Sequence, residues 1–283
     1  MKQVMATVDE RRGSVDGMET RWLEAPTEGS HAPVLYVHGV PTAGWLWRDF
    51  LTRTGGQAPD LPGFGASDKL ASFDYSIPGY ARWLRAFADQ RGLDRFSLVV
   101  HDWGGTLGLA LAQAVPERVE RLVIVSAVPL LPGYRWHFVA RQWRRPLLGE
   151  LAMGFAFKAA LRRVLDRSNR EPLPASFVDS VWEHFDHGTQ RAILKLYRSA
   201  PPDVLAAAGA NLAAIRCPAL VVYGGRDPYL PAEFAQRYAD ALGSSATARV
   251  IEDAGHWTWL DAPALVDDIA GFVTGEPARA RLP

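Results

Sequence analysis

At 283 residues the chain suits one large α/β domain carrying an insertion better than two independent domains. Hydrophobic residues make up 48% and charged residues 22%, an ordinary composition for a globular protein with a substantial core. The formal charge is zero, which leaves no electrostatic footprint for nucleic acid or for an anionic membrane.

The opening stretch MKQVMATVDERRG carries charge where a secretory leader needs an apolar run, and no later run approaches the length of a membrane span. A cytoplasmic protein is therefore expected. APVLYVHG is a short β-branched run entering a loop and predicts a buried strand. GGQAPDLPGFGASD reads as a weaker strand followed by a loop dense in Gly, Pro and Asp. Residues 78–91 space Tyr80, Trp83, Leu84 and Phe87 at helical intervals. FSLVVHDWGGTLGLALAQAVPERV runs strand, tight turn, helix, and RLVIVSAVP is another buried strand. From 129 to 205 the chain is rich in Arg, Trp and Ala with helical periodicity and holds no convincing strand. Arg141, Arg144, Arg145, Arg162 and Arg163 cluster there and read as a solvated helix face. CPALVVYGGRDPYLP, EFAQRYADAL, TARVIEDAGHW and APALVDDIAGFV then restore the alternation of strand and helix. The lone Cys217 cannot form an internal disulfide and reads as a buried, inert thiol, and the tail GEPARARLP reads as frayed.

Continuous apolar strands alternating with helices predict a mostly parallel, doubly wound sheet covered on both faces. Residues 1–128 and 206–283 would form the core and 129–205 a helical cap over one edge. In such sheets ligands bind beyond the carboxyl ends of the strands, where a cap would close over them.

Val100-His101-Asp102-Trp103-Gly104-Gly105 is the strongest local signal. It follows a strand and opens a helix, the context of a nucleophile elbow, in which small residues let a strained turn lift one side chain clear of the sheet. The lifted residue is an aspartate, which a plain helix N-cap would also explain. Together with HGVPTAGWLWRDF, DLPGFGASDK, GGRDPYLP and DAGHW, in this order, the chain resembles the epoxide hydrolase and haloalkane dehalogenase branch of the α/β-hydrolase fold. The resemblance covers nearly the whole core. It implies Asp102 as nucleophile, His256 as base and Asp227 as the acid that orients the histidine, with the backbone N–H groups of Val40 and Trp103 as oxyanion donors. His38 and Gly39 would shape the oxyanion loop, Asp60 and Asp68 would hold backbone in their loop, and His101 would pack.

A carboxylate nucleophile implies displacement at an sp³ carbon, an alkyl ester on Asp102, and hydrolysis of that ester by water that His256 activates. Neither metal nor organic cofactor is required. A halide leaving group wants N–H donors, whereas an epoxide oxygen wants a proton. The scaffold phrases lean toward dehalogenases, but Val40 stands where many of them place an asparagine donor. Ala-Ile-Leu-Lys-Leu-Tyr197-Arg198 resembles the cap segment carrying the ring-opening tyrosine of epoxide hydrolases. Its partner would come from Tyr134-Arg135-Trp136-His137, with Trp136, like Trp103, able to donate an N–H to either leaving group. Epoxide hydrolysis is favoured, with haloalkane dehalogenation as the alternative. Fluoroacetate dehalogenases, which usually carry arginine where this chain has Trp103, rank lower, and so does a receptor that binds without turnover. The expected partners are a small apolar organic substrate and water, with no nucleic acid or membrane, and the chain could be a monomer or a homodimer. Trp136, Trp143, Phe155, Phe157, Trp182 and Phe185 would divide between an apolar pocket and the core of the cap.

Overall fold

The computed structural model describes residues 6–243 and 246–275; the first residues of the charged N-terminal stretch and the GEPARARLP tail beyond Gly275 lie outside them. In chain order, strands β1 (Asp9–Val15), β2 (Met18–Ala25) and β3 (Val34–Val37) lead to helix α1 (Arg48–Thr54) and β4 (Gly56–Pro59). Helix α2 (Ile77–Gln90), β5 (Phe96–Asp102), α3 (Trp103–Ala114) and β6 (Val119–Ala127) follow. Six helices come next, α4 (Phe138–Trp143), α5 (Leu148–Gly154), α6 (Lys158–Leu165), α7 (Ala175–Glu183), α8 (His187–Ser199) and α9 (Pro202–Ala208). The chain closes with β7 (Ala219–Gly224), α10 (Phe234–Ala241), β8 (Ala246–Ile251), α11 (Thr258–Asp261) and α12 (Ala264–Thr274).

The eight strands form one sheet in the order β1-β2-β4-β3-β5-β6-β7-β8. Pairing is parallel from β4 to β8 and antiparallel at β1–β2 and β2–β4. The parallel, two-faced reading of the sequence holds, and the antiparallel hairpin is an addition to it. Its β1 is mostly exposed and shows no run of buried residues. The turn is Asp16-Gly17, both with positive φ, which matches the right-handed twist of a two-residue hairpin.

Successive residues of the central strands point to opposite faces. Leu98 and Val100 join α2, α3 and α10 in one apolar layer, through Trp83, Leu107 and Tyr238. Val99, Val123 and Val222 face the other layer with Phe50, Leu265 and Ile269 from α1 and α12. The helix expected at 78–91 is α2, and its Tyr80, Trp83, Leu84 and Phe87 are fully buried. Between β6 and β7 the described residues form helices and no strand, and the expected return to the core at 206 falls inside α9. No helix among the described residues is long and apolar enough to cross a membrane. Cys217 corrects one expectation: it lies just before β7, only partly buried, with burial pushing its thiol up to about 11.

One buried ion pair locks the loop after β4 to β2. Arg21 Nε and Nη2 donate to the two oxygens of Asp60 at 2.7 and 3.0 Å, and Asp60 also accepts the backbone N–H groups of Gly44 and Ala66, each at 2.8 Å. Asp68 accepts the Glu19 N–H at 2.9 Å, as a loop aspartate was expected to do. Removing the Asp60 carboxylate would leave two amide donors unpaired and the buried Arg21 guanidinium with only Glu10, at 3.2 Å, as its counter-charge. Asp60→Ala is expected to lower unfolding stability by about 3–5 kcal/mol in urea denaturation, while a similar truncation at exposed Asp49 stays within about 0.5 kcal/mol.

Candidate active site

Four loops at the carboxyl ends of the parallel strands bring the predicted residues together. Val40 follows β3, Asp102 ends β5, Asp227 follows β7 and His256 follows β8. Asp102 has φ 52° and ψ −125°, a conformation that costs a non-glycine residue about 1–3 kcal/mol and lifts its side chain off the sheet at the amino end of α3. The elbow fits only because its neighbours lack side chains. A Cβ on Gly39 would lie 2.4 Å from the Asp102 side chain, and one on Gly104 would lie 2.2 Å from the Val37 carbonyl oxygen.

The two oxygens of the Asp102 carboxylate face different groups. The Val40 N–H donates to Oδ2 at 2.8 Å, and the Trp103 N–H at the start of α3 also draws the carboxyl pKa down. The other oxygen, Oδ1, faces His256 Nε2 at 3.9 Å. His256 Nδ1–H donates to Asp227 Oδ2 at 2.8 Å, and Asp227 Oδ1 accepts the N–H groups of Tyr229 and Leu230. Burial pushes the Asp102 carboxyl up to about 6, against the opposing pull of His256 and the two N–H donors. Burial disfavours the His256 imidazolium, but the charge and hydrogen bond of Asp227 and the charge of Asp102 outweigh it and leave its pKa raised.

Surrounding groups hold this geometry. His38 Nδ1–H donates to Gly39 O while Nε2 accepts the Leu61 N–H, which sets the oxyanion loop as expected. His101 does more than pack. Its buried ring lies 4.6 Å from that of His256, and its Nε2 bonds the His256 carbonyl at 3.1 Å. A short segment between α6 and α7 clamps the histidine loop. The His256 N–H donates to Ser168 O at 2.7 Å, and Asn169 exchanges hydrogen bonds with the Trp257 backbone in both directions. Asp261 Oδ2 gathers Asn169 Nδ2 and the N–H groups of Arg170 and Gly255.

Asp102 and His256 open into an apolar cavity of about 230 Å³, room for a small organic molecule. Tyr197 on α8 lines it, its ring 5.0 Å from that of Trp103. Burial and the Asp102 charge raise the Tyr197 hydroxyl well above its usual range, so it keeps its proton. Trp136 is not part of the lining, and its indole N–H donates to Ala200 O at 3.0 Å, so it has no donor left for a substrate. His137, beside it, takes that place. It lines the cavity, and burial and the His256 charge lower its pKa to about 4, so it is neutral at physiological pH. Its Nδ1 accepts the Ala140 N–H at 3.3 Å as the cap of α4, which leaves the proton on Nε2. The only trace of His137 in the sequence was its adjacency to Trp136. Tyr229 also lines the cavity and was not singled out; its hydroxyl pairs with Ser168 Oγ at 2.8 Å. Trp143, Phe155 and Phe185 line the cavity, while Phe157 and Trp182 do not. The Trp103 indole N–H is buried without a hydrogen-bond partner. Among the described residues no cluster of three His, Cys, Asp or Glu side chains is arranged to hold a metal ion.

Comparison with known proteins agrees with this architecture. A family model for the alpha/beta hydrolase fold matches residues 32–263. A haloalkane dehalogenase of Bradyrhizobium diazoefficiens is 30% identical over 308 aligned positions, covering 97% of each chain. One from Mycolicibacterium paratuberculosis is 32% identical over 226 residues, 73% of this chain and 71% of that one. Among solved structures, the haloalkane dehalogenase DbeA from Bradyrhizobium elkani superposes with a TM-score of 0.81 at 25% identity, covering 95% of this chain and 98% of its own. The epoxide hydrolase CorEH reaches the same TM-score of 0.81 at 19% identity, which shows a shared fold. The chain is a hydrolase of the α/β-hydrolase family, in the branch that holds haloalkane dehalogenases and epoxide hydrolases.

Proposed function

We propose that the protein hydrolyses a small apolar epoxide to a vicinal diol through a covalent ester on Asp102. The observation that carries this reading is the pair of protonated donors, the Tyr197 hydroxyl and His137 Nε2–H, in the wall of the cavity that holds Asp102. Oδ1 of Asp102 attacks a ring carbon, the carbon–oxygen bond of the epoxide breaks, and the oxygen takes the Tyr197 proton while His137 donates a hydrogen bond to it. Oδ2 stays with the Val40 N–H, so a donor already holds the atom that becomes the oxyanion in the second step, with the Trp103 N–H beside the same carboxyl.

Esterification removes the Asp102 charge, one of the influences that hold the His256 pKa up. The imidazole is thereby freed as a base at the step that needs one. It takes a proton from water as the water oxygen bonds to Cγ, and the resulting imidazolium protonates the departing alkoxide as the ester bond breaks. The proton left on the regenerated Asp102 carboxyl returns to the Tyr197 phenolate, and one water has been consumed.

A second reading, haloalkane dehalogenation on the same triad, is favoured by the buried Trp103 indole N–H, a donor suited to a halide whose pull reaches the Tyr197 hydroxyl, and by the names of the relatives. The roles of Asp102, His256 and Asp227 are common to both readings.

Three measurements test these assignments. His256→Gln, exposed separately to a terminal aryl epoxide and a primary bromoalkane, is expected to gain the mass of the whole epoxide, and the gain is lost with Asp102→Asn. A gain of the alkyl group alone from the bromide establishes the dehalogenase instead, and no adduct from either probe overturns the ester mechanism. Tyr197→Phe is expected to slow single-turnover epoxide opening by about 100-fold, with hydrolysis of the preformed ester little changed. Only the ionised Asp102 attacks, and its pKa is raised to about 6. The wild-type alkylation rate should therefore be flat above that pH and fall about tenfold per unit below it in rapid-quench experiments.

A further inference from the structure

The zero net charge of the chain conceals a segregated one. Residues 138–170, which span α4 to α6 and the loop after them, carry eight Lys and Arg against two acidic residues, so the remainder of the protein carries the matching negative excess. Both acidic residues are occupied, Glu150 by Arg198 and Asp166 by Arg162. Arg141, Arg145, Arg163 and Arg167 are exposed, and none of them forms an ion pair among the described residues. A solvated helix face was the expectation for this cluster, and charge alone would leave it there.

The same segment also exposes the largest concentration of apolar side chains among the described residues. Leu147 is 77% exposed, Phe155 76%, Phe138 67%, Phe157 60% and Leu151 56%. Leu147 holds φ 66°, a left-handed conformation that a branched side chain adopts only when its surroundings impose it, and this strained residue is the most exposed large hydrophobe described. Elsewhere the described large hydrophobes that reach solvent are scattered singly, which needs no explanation. Phe155 belongs to the patch and to the cavity lining at once, as does Val164, so the patch runs into the mouth of the active-site cavity.

From this juxtaposition of exposed Leu and Phe side chains with unpaired arginines at the cavity mouth, we propose that α4 to α6 dock onto an anionic lipid surface. Short amphipathic helices with arginine on the polar side and Phe or Leu on the other lie in the interfacial plane of a bilayer, where buried apolar area and attraction to anionic headgroups add. The alternative occupant, a second copy of this chain, would set two positively charged segments face to face, and charge complementarity selects the lipid. Docking in this orientation places the cavity mouth at the bilayer, where small apolar molecules concentrate. That last step rests on the proposed substrate class, whereas the docking itself does not.

Co-sedimentation of the full chain with vesicles separates these possibilities without reference to activity. The wild type is expected to pellet with phosphatidylcholine vesicles containing about 30% phosphatidylglycerol, to be released by about 0.5 M salt, and to stay in solution with phosphatidylcholine alone. Arg145→Glu/Arg163→Glu and, separately, Leu147→Ser/Leu151→Ser are each expected to weaken partitioning at least about tenfold at unchanged Tm, since all four positions are exposed. The proposal is overturned if the wild type does not pellet with the anionic vesicles, or if both double variants bind as it does. It is equally overturned if sedimentation velocity finds a dimer that Leu147→Ser/Leu151→Ser splits, which would assign the face to a second copy.

Discussion

The site turns on a carboxylate held where a folded chain has reason not to put one. Asp102 sits between β5 and α3 with positive φ, fully inside the protein, and its ionised form is opposed by burial. Two backbone N–H groups, the amino end of a twelve-residue helix and a buried histidine offset that cost. In the proposed reaction the two N–H groups would serve as oxyanion donors and the histidine as the base. The strain is affordable because the surrounding sheet is buried on both faces and supplied with continuous apolar strands, whose alternate side chains feed two separate helical layers.

The four loops that build the site come from strands that are not all neighbours, so their relative placement depends on sheet register rather than on any single turn. The bidentate Arg21–Asp60 pair is part of the same logic at one remove. It ties β2 to the loop after β4, and through Gly44 N–H to the stretch that follows the oxyanion loop. A buried pair of this kind adds little net stability over an apolar substitute, but it specifies one arrangement of three segments.

Much of this was legible in the sequence. The parallel core showed in its continuous apolar strands and the elbow in a short motif at a strand end, while the residues that meet beside it, Val40, Asp227 and His256, were implied by the resemblance. The β1–β2 hairpin was not assigned, since β1 is exposed and polar and only Asp16-Gly17 marks the turn. In the helical insertion the limits were different. Trp136 and His137 are adjacent, and no periodicity says which faces the cavity; the cap hydrogen bond of His137 to Ala140 and the bond from Trp136 to Ala200 decide it. The arginine cluster of this segment was visible in the sequence, but which of its members lack an ion pair and which apolar side chains stand exposed beside them was not.

The clamp at Ser168, Asn169 and Asp261 ties the helical insertion to the core at the loop bearing His256. Two residues of the insertion bond the backbone on either side of the histidine, and the hydroxyl of half-buried Tyr229 anchors Ser168 in turn. The insertion and the loop bearing His256 are therefore one mechanical unit. A chimera that exchanges the helices between β6 and β7 to change substrate range would carry foreign partners to this loop unless the junction residues travel with their own histidine.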